Sequence, residues 1–247
     1  MRLVFAFVRS LVVLAVLWQA AVLVFALPRY LLPTPLEVLA VFTRQPGFLL
    51  EQSLVTIAEM LAGLAVGTAF GVATAIGLAA FPRLGKLVWP FVLVLQAFPV
   101  FVIAPLLVLW FGFGMVSKIV MAAIIIFFPV VSAFSDGLRR TDAQILDAVA
   151  LTKASHWQSL RLVRLPLALP GLVTGLRVAA PLAPLGAVVG EWVGASAGLG
   201  FVIVQANARM QTDVVFAAMA ILAVLAVGLR LLVDEATRPL AHWARET

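Results

Sequence analysis

Of the 247 residues, 64% are hydrophobic and only 11% are charged, against roughly 45–50% and about 25% in an ordinary soluble domain. That composition excludes a water-soluble fold and makes lipid the solvent, and the absence of cysteine excludes disulfides, thiolate metal sites and cysteine nucleophiles. The net charge of +6 does not point to nucleic acid, because the basic residues sit between apolar runs, where they orient helices.

A membrane-spanning helix needs about 20 mostly apolar residues. Runs over about 10–27, 54–80, 86–110, 115–135, 170–190 and 213–233 meet that length. They predict an all-α integral membrane protein with about six transmembrane helices in one domain, residues 1–247. The first run follows Arg2 and Arg9. It exceeds the roughly 7–15 apolar residues of a signal peptide and reads as a retained anchor. In the second run Gly63, Gly67 and Gly71, continued by Ala75 and Ala79, place small side chains on one face, where another helix can approach closely. Glu59 lies about one turn into that run. A charge at the bilayer centre costs at least about 2.5–3.5 kcal/mol, so Glu59 belongs either near the outer interface or in contact with a polar path.

The third run carries Pro99 and Pro105, and the fifth carries Pro181 and Pro184. Each proline frees the carbonyl four residues earlier, those of Leu95, Phe101, Arg177 and Ala180. In lipid such groups persist only against protein or a watery cavity, and interrupted helices mark transport paths. A kink packed by neighbouring helices is the alternative. Gln96 and Phe98 flank the first interruption. Arg177 falls near the inner end of its run, and Glu191 with Trp192 near the outer end. The last two could gate a path, meet a binding protein or simply anchor the interface.

Basic residues set the direction. With the N-terminus inside, inner segments hold Arg2, Arg9, Arg83, Lys86, Arg139, Arg140, Lys153, Arg161, Arg164, Arg230, Arg238 and Arg245. Outer segments hold Arg29, Arg44, Lys118 and Arg209. That asymmetry predicts a multi-pass protein with both termini cytoplasmic. Tyr30, Trp110 and Trp192 near outer ends and Trp89 near an inner end fit interfacial belts, or pack against neighbouring helices.

No catalytic constellation is present. Gly85–Lys86 is not a P-loop, because Ala80 stands where the first glycine is needed and Leu87 follows the lysine. HExxH and GxSxG are absent, and His156 and His242 fall in inner stretches, so neither a catalytic nor a metal site is expected. The chain moves solute passively, couples to an ion, or borrows ATP hydrolysis from a partner.

The long inner connection, 136–169, narrows the choice. Ile145, Val149, Leu160 and Val163 suit short amphipathic helices, and Ser155 can cap the second of them. Two short helices at a bend present a knob that could dock into a groove. The stretch resembles the EAA coupling loop of type I ATP-binding-cassette (ABC) importer permeases. Asp147, Ala148 and Val149 stand where that motif has its acidic residue and two alanines. Ala154 and Ser155 match, as do Leu165, Pro166, Ala168, Pro170, Gly175, Leu176 and Arg177. Lys153 replaces the glycine that normally permits the bend, and an ordinary residue there costs on the order of 1 kcal/mol. Leu32-Pro33-Thr34-Pro35, Pro105-Leu106-Leu107 and Trp110-Phe111-Gly112-Phe113-Gly114 resemble the branch for sulfonates, taurine, nitrate and thiamine precursors. The run from Gly190 to Met210 is similar to permeases for pyrimidine thiamine precursors.

This resemblance implies the type I importer permease fold with cytoplasmic coupling helices, in a bacterial inner membrane. It implies two copies of an ABC ATPase subunit that holds ATP and Mg, an external solute-binding protein, and a permease homodimer. No cofactor is implied in this chain and no nucleic acid among its partners. The coupling residues would be Asp147, Ala148, Val149, Lys153, Ala154 and Ser155. The path candidates are Glu59, Gln96, Phe98, Pro99, Pro105, Pro181, Pro184, Glu191 and Trp192. The expected solute is a pyrimidine precursor of thiamine, with sulfonate, taurine, nitrate or riboflavin as alternatives. An ion-coupled secondary transporter is the competing class, and it would favour paired acidic residues deep in two helices. A membrane enzyme is disfavoured by the missing catalytic clusters.

Overall fold

The computed structural model describes residues 2–245, and the side chains of residues 2–8, 10, 11, 95, 97, 242, 244 and 245 lie outside that description. The described residues contain helices and no strand. Helix α1 is Arg2–Val24 and α2 is Pro35–Arg44. Thr34 starts α2 with a reciprocal cap: its side chain accepts from the Glu37 amide at 3.3 Å, and Glu37 accepts from the Thr34 amide at 2.8 Å. That amide, helped by the Thr34 hydroxyl and Arg29, holds the Glu37 carboxyl below its ordinary 4.5.

Four helical stretches are long and apolar enough to cross a membrane among the described residues: Pro46–Ala80, Met115–Arg139, His156–Gly194 and Thr212–Ala241. The first is α3 and the second α6. The third comprises α8 (His156–Ser159), a π turn at Leu160–Arg164, α9 (Leu165–Ala179), a 3-10 turn at Ala180–Leu182, and α10 (Ala183–Gly194). The fourth is α12 (Thr212–Thr237) with the start of a terminal 3-10 segment.

The run expected over about 86–110 is not one helix. It forms α4 (Pro82–Ala97) and α5 (Val100–Phe111), separated at Phe98 and Pro99. Proline crowds the backbone before it and pushes that residue out of the α region; Phe98 accordingly has φ −74° and ψ 130°. The prolines of the fifth run act more gently, and Pro181 sits in the 3-10 turn. The Arg177 carbonyl that Pro181 leaves without its helical partner accepts from Arg230 Nη1 at 2.7 Å.

The core forms where α3 lies along α6. Cβ atoms built on Gly63, Gly67 or Gly71 would collide with Ala122, Ile126 or Val130 of α6, so the glycine stripe is what brings the two backbones together. Helices α9 and α10 close the other side of α6, with Ala179, Ala180, Ala183 and Ala187 buried against Met60, Ile126 and Val130. Two short helices complete the chain: α7 (Ala143–Leu151) at one end of the bundle, and α11 (Leu199–Ala208).

Candidate functional site

Three regions carry the polar chemistry. The first is a buried cluster around the start of α11. A helix N-terminus exposes amides with no partner inside the helix. Here Gly198 N donates to Gln52 Oε1 at 2.8 Å, Leu199 N donates to Thr56 Oγ1 at 2.8 Å, and Gly200 N donates to Glu191 Oε2. The Thr56 hydroxyl in turn donates to Glu191 Oε1 at 2.7 Å. Gly198 has φ +104°, and a Cβ on it would strike the Glu191 carboxyl. Lys118 is 1% exposed and donates to the carbonyls of Phe113 at 2.6 Å and Gly194 at 2.7 Å. Glu59, 3% exposed, faces Glu191, with Lys118 in electrostatic range of both.

Glu59 and Glu191 are thus brought together in packed protein. Trp192, next in sequence, points the other way and is 54% exposed. Lys118, which sequence reasoning placed among outer-segment charges, is an interior cation. Gln52, Thr56 and Lys118 were missed. The spacing Gln52, Thr56, Glu59 puts all three on one face of an apolar helix, and that stripe was the available signal.

The second region is an open cavity of about 780 Å³ between α3, α4, α5, α6 and α9. It follows α6 from Val120 to Asp136, roughly 24 Å at helical rise, most of the roughly 30 Å hydrocarbon thickness of a bilayer. Its walls are mainly apolar and aromatic, including Phe70, Phe127 and Phe128, with Gln96, Ser132 and Asp136 as polar lining residues. Of the path candidates, Gln96 lines this cavity. Phe98, Pro99, Pro105 and Pro181 are exposed elsewhere, and Pro184 is buried. Ser132, Asp136 and Pro129 were not singled out from the sequence. Pro129 leaves the Ile125 carbonyl without its usual donor, and both residues line the cavity.

The third region is the knob formed by α7 and α8. Asp142 caps α7 by accepting from Gln144 N at 2.9 Å. After α7 the chain turns through Lys153, whose φ is +56°. Ser155 then caps α8 reciprocally with Gln158. Asp147, Ala148, Lys153 and Ser155 are exposed, and Val149 and Ala154 are half-buried. Leu151 and Leu162 project apolar surface at 87% and 69% exposure. The knob is tied to the bundle: a His156 ring nitrogen lies 3.1 Å from the Ala80 carbonyl, Arg164 donates to the Leu138 carbonyl at 2.8 Å, and Trp157 stacks edge-on against Phe81. Arg177, placed near the inner end of its run by the sequence, pairs with Asp234 at 2.8 Å.

Residues 67–242 match the family described as binding-protein-dependent transport system inner membrane component. The chain belongs to this family. It is 44% identical over 222 residues to a probable ABC transporter permease protein of Haemophilus influenzae, covering 90% of this chain and 91% of that one. It is 35% identical to the riboflavin transport system permease RibX of Chloroflexus aurantiacus, over 95% and 88% of the two chains. It is 32% identical to the formylaminopyrimidine transport permease ThiX of Halalkalibacterium halodurans, over 87% and 86%. Its fold is similar to a chain of the MetNI methionine ABC transporter in an inward-facing conformation. The TM-score is 0.69 at 21% identity, over 79% of this chain and 98% of that one. The protein is therefore the membrane-spanning permease of an ABC importer for a small solute, a transport subunit and not an enzyme; ATP is hydrolysed on a separate subunit.

Proposed function

We propose that this permease carries a small flat heterocycle, a pyrimidine precursor of thiamine, through the cavity along α6, after delivery by an external binding protein. The observation that carries the reading is the cavity's lining. Aromatic rings with Gln96 and Ser132 suit a flat polar ring, and neither lysine nor arginine lines the cavity among the described residues, whereas sulfonate or phosphate sites favour arginine forks. Two of the relatives, ThiX and RibX, are named for heterocycles, a formylaminopyrimidine and riboflavin. Other relatives are named for aliphatic sulfonates and taurine, so competition must decide. In this reading the permease works as a homodimer in a bacterial inner membrane, with both termini cytoplasmic. The knob at 147–155 enters a groove on each of two ATPase subunits, which hold ATP and Mg. The cluster around Glu191 holds α11 in place and stays outside the path.

The test is uptake of labelled hydroxymethylpyrimidine by cells expressing the complete transporter, with unlabelled pyrimidine, riboflavin, taurine and nitrate as competitors. Competition by the pyrimidine alone is the expected result. Competition by riboflavin, taurine or nitrate with none by the pyrimidine overturns the solute assignment. In the same cells Ala154→Glu, which forces a charge into a packed contact, should abolish uptake and release the ATPase from the membrane. Normal uptake by that variant would remove the knob from the coupling interface.

A further inference from the structure

We infer that Asp136 makes the path selective against anions, so that the permease passes neutral or cationic heterocycles and rejects sulfonate-, nitrate- or phosphate-like solutes. The inference rests on the cavity being the path. Among the described residues Asp136 is the charged one that lines the cavity. It lies one turn beyond Ser132 on the same face of α6, at the end of the bundle that carries the knob. It is half-buried, and it has no ion pair or side-chain hydrogen bond among the described residues. Arg140 follows at the next turn and is exposed; it shares an adjoining groove with Asp136 and Asp142 but forms no ion pair with Asp136.

An unpaired carboxylate beside an aromatic, weakly polar wall acts through a lower effective dielectric than water, which strengthens its field on a passing ion. Low-dielectric walls also focus such fields along a cleft. Two permeases sharing one path would each contribute an Asp136, doubling the negative charge that every solute must pass. A neutral ring is indifferent to that field, a cation is drawn in, and an anion is repelled. The selection acts at the transport step, after any choice made by the binding protein.

The chain has no cysteine, so a single thiol can report the local potential. Ser132→Cys is introduced into the complete transporter in membrane vesicles. Its labelling by a cationic and by an anionic methanethiosulfonate of similar size is then followed on the permease itself. Gln96→Cys, on the facing wall, serves if Ser132→Cys does not assemble. The cationic reagent is expected to react faster, and adding Asp136→Asn should shrink the cation-to-anion rate ratio by roughly tenfold. A ratio that Asp136→Asn leaves unchanged overturns the inference while leaving the importer and its pyrimidine intact. If neither thiol reacts with either reagent, the cavity is not a watery path, and the path assignment falls together with the charge filter.

Discussion

Lys153 shows how a residue other than glycine meets a backbone demand for the left-handed region. The bend between α7 and α8 demands a left-handed residue, and the lysine adopts φ +56°. The turn is held by Thr152 N donating to Val149 O at 3.1 Å and Lys153 N donating to Ala150 O at 3.0 Å. A left-handed L-residue costs about 1–2 kcal/mol, while glycine loses about 0.5–1 kcal/mol more in conformational entropy. Lys153→Gly should therefore stabilise the knob by roughly 0.5–1 kcal/mol, and Lys153→Val should weaken it. Amide exchange across residues 150–156 in the purified permease reads both effects directly. Equal protection in the glycine and lysine proteins would mean that the bend stores no strain.

At the scale of elements, the contact between α3 and α6 depends on missing side chains. A Cβ on Gly67 would sit 2.7 Å from the Ala123 carbonyl oxygen and 2.9 Å from the Ile126 Cβ. Neither atom can rotate aside. Gly67→Ala should thus push the helices apart and cost about 1–3 kcal/mol, the usual range for overpacking. Gly77, on the same helix, has nothing within 4 Å of its built Cβ, and Gly77→Ala should be neutral or stabilising by roughly 0.5–1 kcal/mol. Thermal inactivation of the two variants in detergent separates them, and similar midpoints would refute the close-packing account. The same end of α3 that carries Gln52, Thr56 and Glu59 also satisfies the first amides of α11, so displacing α3 loosens α11 with it.

For the whole molecule, the decisive feature is that the knob is wired to the bundle. His156 meets the end of α3, Arg164 meets the end of α6, and Trp157 packs on Phe81 between α3 and α4. A push on α8 therefore reaches the ends of α3 and α6, which wall the cavity, through direct side-chain contacts. One chain supplies one knob, and the proposed pair of ATPases requires two. Native mass spectrometry of the assembled transporter should give two identical permeases for two ATPases. A single permease per complex, or a different second permease chain, would contradict the homodimer.

The sequence by itself determined the solvent, the all-helical class and the knob. Apolar run length, glycine spacing and capping residues are local properties, and bilayer physics leaves helices few alternatives. Ser155 as a cap was legible for that reason; Pro99 marked a break or a kink, and the structure decided for the break. The sequence also exposed Glu59 and Glu191 as costly charges, but it could not show that they face each other across helices 132 residues apart in the chain. Only tertiary packing turned Lys118 from a loop charge into an interior cation. Packing likewise set Asp136 on the cavity wall while leaving Glu59 off it. Which face of an apolar helix meets protein, lipid or water is decided by neighbours distant in sequence, and for a helix apolar all round, periodicity carries almost no record of that choice.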